Sequence, residues 1–129
     1  MGLSEEGQHN AHPGCCPHLH AAVELIGRRW TGAIIEVLRQ GGSMRFSEVL
    51  HAVPALSDRL LSERLKDLEA HGVVERTVDP GPPVRVEYAL TDMGHALEPA
   101  LDHLGDWART WLSRHPVQPS PTGGPPANR

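Results

Sequence analysis

Residues 57–72 read SDRLLSERLKDLEAHG, and this stretch decides the fold. Ser57 is a favoured helix N-cap, and the closing glycine is a favoured residue just beyond a helix end. At 100° per residue, Leu61, Leu65 and Leu68 fall on one stripe. The stretch therefore predicts a helix that packs its leucines on a core and turns its opposite face to solvent.

A β-hairpin is predicted directly after this helix. The segments VVERTV (73–78) and VRVEYAL (84–90) are rich in β-branched residues, and the DPGPP between them is typical of a turn. In the second segment the apolar residues alternate with Arg85, Glu87 and Ala89. This period of two predicts one buried face and one solvated face.

A short helix is predicted before residue 57. Ser47 is a candidate N-cap for a helix through Val53, which Pro54 ends, and residues 44–46 are a candidate strand stub. A short helix, a tight turn and a longer helix make a helix-turn-helix, and a hairpin directly after them is a wing.

Three further helical patterns flank this unit. Pro17 suits the first turn of a helix that Gly27 ends, and Thr31 is a candidate N-cap for a second helix. That second helix is apolar nearly all round, which predicts burial. A last pattern opens after Thr91 and reaches about Arg114, kinked or broken at Pro99.

The last helix carries an apolar stripe wider than one small domain needs. A wide apolar surface of this kind marks an interface with a partner, although a helix folded onto its own core is the alternative. In a two-fold dimer the two recognition helices would lie about 34 Å apart, which predicts a palindromic DNA site. The stripe comprises Leu97, Ala100, Leu101, Leu104, Trp107, Ala108, Trp111 and Leu112. The predicted dimer-interface residues among them are Leu97, Leu101, Leu104, Trp107 and Trp111.

The predicted class is mainly α with a small β-hairpin (α+β), a winged helix-turn-helix with extra N- and C-terminal dimerisation helices. We expect one domain over residues 14–114. Residues 1–13 are polar and residues 115–129 are rich in proline and glycine, so both are predicted to be disordered tails.

Charge and composition restrict the function. The 129 residues carry a net charge of −4, which argues against coating nucleic acid by bulk charge but permits local phosphate contacts. No apolar run is long enough for a membrane span, and no secretory signal is visible, so we expect a cytoplasmic protein. A Cys16–His20 nucleophile pair would lack an oxyanion hole, and no phosphate-cradling glycine loop is present. We therefore expect no enzyme activity and no cofactor.

The face of the 57–72 helix opposite the leucines holds the candidate DNA-reading residues. Arginine can bind guanine with two hydrogen bonds, and serine can bond a base or a phosphate. An ordinary solvated helix face is the alternative. Arg85 lies near the hairpin tip and Arg45 precedes the short helix, where both are candidates for backbone contacts. The candidates on the helix face are Arg59, Ser62, Glu63 and Lys66.

The chain resembles the HxlR-type winged-helix regulators, relatives of the MarR group. The resemblance lies in CPHLHAAVELIGRRWTGAIIEVL, RFSEVLHAVPALSDRLLSERLKDLEAHGVVER and PPVRVEYALTDMG, which together cover roughly residues 16–94. It implies a homodimeric transcription factor that binds double-stranded DNA, with its recognition helix starting at Ser57 and its wing at 73–90. It also implies that Arg45, Ser57, Arg59 and Arg85 lie on DNA-contacting segments, and that the first helix, with Leu19 and Val23, joins the last in the dimer interface.

Two cysteines suggest an effector. Cys16 takes the Cys-Pro position at which some family members are thought to respond to oxidants or electrophiles, and a helix N-terminus favours its thiolate. Cys15 is its neighbour, and a buried, inert thiol is the alternative. A metal-responsive regulator using Cys15, Cys16, His18 and His20 and a winged-helix protein-interaction module are the other readings. Repression is the default for so small a regulator.

Overall fold

The computed structural model describes residues 16–114. The two predicted tails and Cys15 lie outside the described residues, so the boundaries predicted at 14 and 114 stay predictions. The chain divides into two compact units, Met1–Ala33 and Ile34–Arg129.

Helix α1, Pro17–Ile26, is the element of the first unit. Cys16 is its N-cap, and the Cys16 Sγ accepts a hydrogen bond from the backbone N–H of Leu19 at 3.4 Å. Pro17 occupies the first turn and Gly27 caps the C-terminal end, as the sequence predicted.

Helix α2, Thr31–Gly41, crosses the division between the units. The predicted N-cap at Thr31 is wrong, because Thr31 is already helical and follows Trp30, whose φ is +73°. Burial of this helix is confirmed for most of its predicted apolar residues but is less uniform than predicted. Ile34 and Ile35 are fully buried, but Val37 is only half-buried.

Helix α3, Phe46–Ala52, begins two residues earlier than predicted. Its N-cap is Arg45 rather than Ser47, because the Glu48 Oε1 accepts a hydrogen bond from the Arg45 backbone N–H at 2.8 Å and fixes the first turn. The predicted strand stub is a single β-bridge between Met44 and Tyr88.

Helix α4, Asp58–Ala70, matches the prediction at both ends. The Ser57 Oγ accepts a hydrogen bond from the Leu60 backbone N–H at 3.1 Å. The chain leaves the helix through Gly72, whose φ of +81° suits glycine. Three leucines of this helix are buried as predicted, namely Leu61, Leu65 and Leu68.

Strands β1, Val74–Asp79, and β2, Arg85–Leu90, form the antiparallel hairpin. The face predicted to be buried is fully buried only at the base of the hairpin. Val74 and Leu90 pair at the base and are buried, whereas Val78 is 47% and Val84 67% exposed. The arm extends beyond the core, so burial falls from its base to its tip.

The base of the hairpin is tied to the chain before α3. Met44 and Tyr88 exchange both backbone hydrogen bonds, at 2.8 and 2.7 Å. The Ser43 hydroxyl also donates to the Glu87 carboxylate at 2.8 Å. The hairpin is therefore held on its β2 side, and its position depends on the turn that precedes the helix-turn-helix.

The last helical pattern is broken into α5, Asp92–His95, and α6, Glu98–Trp111. Pro99 lies in the first turn of α6, where its missing N–H costs no helical hydrogen bond. The break at Pro99 is thus confirmed, while the helix ends at Trp111 rather than about Arg114.

An ion pair joins α2 to α6 within the second unit. Two terminal nitrogens of Arg39 donate to the two carboxylate oxygens of Asp102, at 2.7 and 3.0 Å. Glu98 and Glu36 lie 3.8 and 3.6 Å from the same guanidinium. The bidentate geometry fixes direction as well as distance, so it orients α6 relative to α2.

The molecule is a mainly helical winged helix-turn-helix with one two-stranded hairpin. Its core is apolar and lies in the second unit, between the helix-turn-helix and the hairpin base. Among the described residues, no helix is long and apolar enough to cross a membrane. The core residues are Ile34, Ile35, Leu38, Val49, Val53, Leu56, Leu61, Leu65, Leu68, Val73, Val74 and Leu90.

Asp102→Asn is expected to destabilise the protein at neutral pH and to lose that effect in acid. The hydrogen bond from Arg39 lowers the pKa of Asp102 below its ordinary value of 3.8. The carboxylate therefore stabilises the fold above that value, and its contribution disappears as the pH falls through the lower folded pKa. Urea unfolding from pH 7 to pH 2 measures the difference between wild type and variant.

Asp106→Asn is the matched control, because Asp106 pairs with Arg109 on the same helix and makes no bridge to α2. Its effect on the unfolding free energy is expected to be smaller than that of Asp102→Asn at neutral pH. A pH-independent difference between Asp102→Asn and wild type would contradict the role given to the ion pair.

Candidate nucleic-acid interface

The outer face of α4 presents the predicted DNA-reading side chains. Because Leu61 and Leu65 are buried, the rotation of the helix about its axis is fixed and residues half a turn away must face solvent. Arg59 has 90% of its side chain exposed, and Lys66 is exposed further along. Ser62 is half-buried at the edge of this face.

Arg59 is held along the helix by Glu63. The Arg59 Nε lies 3.3 Å from the Glu63 Oε2, and the Glu63 side chain is 53% exposed. Within residues 16–114, no bond is recorded for the two terminal nitrogens of Arg59. The pair therefore limits the freedom of the side chain while leaving the fork that could bind a guanine edge.

Ser57 has a structural role as the cap of α4. Its Oγ accepts from the Leu60 N–H, but the hydroxyl hydrogen can still donate to a phosphate oxygen. The N-terminus of α4 adds a positive partial charge at this point.

A groove separates α4 from the hairpin, and we call it the helix–wing groove. It encloses about 380 Å³. Its walls carry two cations, Lys66 from α4 and Arg76 from β1, and its polar groups outweigh its apolar ones. The residues that line it are Ser62, Leu65, Lys66, Glu69, Arg76 and Tyr88.

Arg76 is a basic residue of this surface that the sequence reasoning missed. The alternation of side chains along the strand could have indicated it. Arg76 lies two residues after Val74 and therefore shares its strand face, and the burial of Val74 marks that face as the one toward the core. Arg76 pairs with Tyr88 in the register. Because Tyr88 gives both backbone bonds to Met44, Arg76 and Tyr88 form a non-hydrogen-bonded pair with closely spaced side chains.

The structure does not bring Arg85 to this groove. Arg85 pairs with Asp79 at the outer end of the hairpin, and its position in the alternation puts it on the strand face opposite Arg76. Arg45 is exposed at the start of α3. The contacts predicted for Arg45 and Arg85 therefore stay predictions.

The residues predicted for dimerisation are largely exposed. On α6, Leu104 is 57%, Trp107 52% and Trp111 49% exposed, whereas Leu97 and Leu101 are half-buried. On α1, Leu19 and Val23 are exposed at adjacent turns. Each helix thus presents apolar side chains to solvent in the single chain.

The cysteine site contains one described thiol. Cys16 is exposed at the N-terminus of α1. Across residues 16–114, no group of three His, Cys, Asp or Glu side chains is placed to hold a metal ion. His18 and His20 are exposed on α1, and Cys15 lies outside the described residues.

Comparison with known proteins identifies the family. The model of the HxlR-like helix-turn-helix family matches residues 25–116. The chain belongs to that family. YvaP of Bacillus subtilis (strain 168), an HTH-type transcriptional regulator, is 50% identical over 97 residues, which cover 75% of this chain and 89% of YvaP.

YodB, an HTH-type transcriptional regulator of the same organism, is 44% identical over 93 residues, covering 72% of this chain and 82% of YodB. The solved structure of reduced YodB matches with a TM-score of 0.71 over 75% of this chain and 94% of that one. YodB has also been solved after diamide treatment and with quinone bound.

The redox regulator HypR in its oxidised form is 34% identical, with a TM-score of 0.66 over 74% of this chain and 96% of HypR. These relatives are transcriptional regulators, so the protein is a transcriptional regulator of the HxlR type with a DNA-binding helix-turn-helix.

Proposed function

We propose that the protein is a homodimeric repressor that binds a palindromic operator and responds to oxidants or electrophiles through Cys16. The observation that carries the DNA-binding part is the capped helix α4, which presents the exposed Arg59 beside a hairpin on the same winged-helix unit. We expect it to act in the cytoplasm, where the operator would be found.

In the proposed complex, α4 enters the major groove and the hairpin approaches the flanking minor groove. Arg59 and Ser62 would read base edges, and Glu63 would accept from a cytosine amine once Arg59 turns to a guanine. Contacts to the DNA backbone or the minor groove would set the register of the protein on the duplex. The residues proposed for these contacts are Ser57, Lys66, Arg45 and Arg85. The net charge of −4 is compatible with this arrangement because the contacts are local.

The proposed dimer rests on the exposed apolar residues of α6 and α1. Three large side chains of α6 stay about half exposed in the single chain, and the stripe runs along one face. A second copy would cover them and would fix the distance between the two copies of α4.

The proposed effector response rests on the exposed Cys16 and on the similarity to YodB and HypR. With peroxide as oxidant, the Cys16 thiols of two subunits would give one disulfide, and their two electrons and two protons would convert the peroxide to two waters. The helix that Cys16 caps carries Leu19 and Val23, so a bond at the cap would act on the proposed dimer surface.

A protein-interaction module is the second candidate function. A substitution on the outer face of α4 distinguishes it from DNA binding. Arg59→Ala is expected to reduce affinity for a duplex from the upstream region of the protein's own gene roughly 10-fold to 100-fold. Fluorescence anisotropy at two salt concentrations measures this. Arg109→Ala, on α6, is the control and should bind as wild type. Equal binding by both variants would contradict the assignment of α4.

Leu104→Glu is expected to produce a monomer, because a carboxylate at the centre of an apolar interface stays unpaired. Sedimentation velocity measures the oligomeric state. Thr110→Glu adds the same charge at an exposed position about 120° around α6 from Leu104 and should leave the dimer intact. A dimeric Leu104→Glu protein, or a monomeric wild type, would refute the proposed interface.

Mild peroxide is expected to shift the wild-type protein to a covalent dimer on a non-reducing gel, and reductant should reverse the shift. Cys16→Ser should stay at monomer mobility, whereas Cys15→Ser should behave as wild type. The same covalent dimer in Cys16→Ser would remove Cys16 from the proposal. Operator affinity measured before and after peroxide then reports whether the bond affects DNA binding.

A further inference from the structure

We propose that the helix–wing groove binds the DNA backbone and that Arg76 and Lys66 contact the same phosphate from opposite sides. We call this arrangement the phosphate clamp. This inference rests on the proposed function and adds a residue, Arg76, that neither the sequence motif nor the recognition-helix face indicated.

The argument begins with the topology of a duplex. A major groove and the adjacent minor groove are separated by one sugar–phosphate strand. If α4 reads the major groove and the hairpin reaches the flanking minor groove, that strand must pass between α4 and the hairpin. The helix–wing groove is the space between these two elements.

The two walls of the groove each supply one cation. Lys66 lies on the outer face of α4, and Arg76 lies on β1 next to Tyr88. Neither side chain has an ion pair or side-chain hydrogen bond within the described residues. Both charges are therefore available to a phosphate, which arginine can bind with two hydrogen bonds and lysine as a point charge.

The hairpin holds Arg76 in place on the groove wall. Its partner Tyr88 is bonded through its backbone to Met44, at the base of the arm where burial begins. Arg76 therefore lies on the anchored part of the hairpin, whereas Arg85 lies at the exposed outer end. A contact at Arg76 would set how deeply α4 enters the major groove.

The groove also contains one negative charge, which would repel a phosphate. Glu69 lines the same space, one helical turn beyond Lys66. Its carboxylate reduces the net positive charge from two to one, so the clamp would bind a phosphate less tightly than its two cations alone would.

Three variants test the clamp, with the upstream region of the protein's own gene as one probe and a scrambled duplex of equal length as the other. Arg76→Gln is expected to weaken binding to both probes by similar factors. Loss of one phosphate contact reduces the slope of log affinity against log salt by about one. The wild-type advantage over the variant should thus shrink about 3.5-fold between 50 and 200 mM salt.

Arg76→Lys should keep most of the slope, because it retains the charge. Glu69→Gln should bind about twofold more tightly than wild type at 50 mM salt and less so at 200 mM, where the charge is screened. A purely structural role for Arg76 would change thermal stability but would move neither the salt slope nor the Glu69→Gln affinity. Arg109→Gln is the matched control and should leave the slope unchanged.

The outcomes separate this inference from the proposed function. If the wild type binds neither duplex, both the phosphate clamp and the proposed DNA-binding function are wrong. If the wild type binds and Arg59→Ala weakens only the specific probe, while Arg76→Gln leaves the salt slope unchanged, the clamp alone is wrong. A uniform loss with Arg76→Gln, a reduced slope and a gain with Glu69→Gln support the phosphate at this position.

Discussion

Burial of the α4 leucine stripe is the constraint on which the rest of the structure depends. Leu61, Leu65 and Leu68 lie fully in the core, and burying each side chain stabilises the fold by roughly 1.5–3 kcal/mol. Rotation of α4 about its axis would expose these leucines. The side chains on the opposite face of the helix must therefore point to solvent. Apolar packing thus decides which face of α4 carries Arg59, and the contact with Glu63 then limits the freedom of its side chain.

The sequence predicted α4 and its caps correctly because those signals are local. Ser57 acts on an N–H three residues away, and the leucine period is contained in one helix. The predicted start of α3 was wrong because a different contact decides it. The first turn of α3 is fixed by Glu48 reaching back to Arg45, so the more familiar cap residue Ser47 lies inside the helix. A period of two also could not show that only the hairpin base reaches the core.

The missed features are those that join distant parts of the chain. Arg39 and Asp102 are 63 residues apart, and no pattern in either helix indicates that they pair. Arg76 looked like one charge in a mixed strand until the register placed it beside Tyr88 and across from Lys66. The family assignment supplies the class of function, but which side chains share a surface is decided by long-range packing. The anchoring of the hairpin by Met44 is the clearest case, because its bridge to Tyr88 joins residues 44 positions apart and helps to hold the arm in place.

The turn that closes the hairpin has a single main-chain donor to offer. Pro80, Pro82 and Pro83 lack an N–H, and the N–H of Gly81 is already used by the Asp79 carboxylate at 3.1 Å. Backbone amide groups commonly anchor nucleic-acid phosphates, and this turn can supply only the N–H of Val84. Apart from the Val84 amide and the neighbouring Arg85, the turn would meet a duplex through the shape of its pyrrolidine rings against the deoxyriboses. Such contact is indifferent to ionic strength and to base identity.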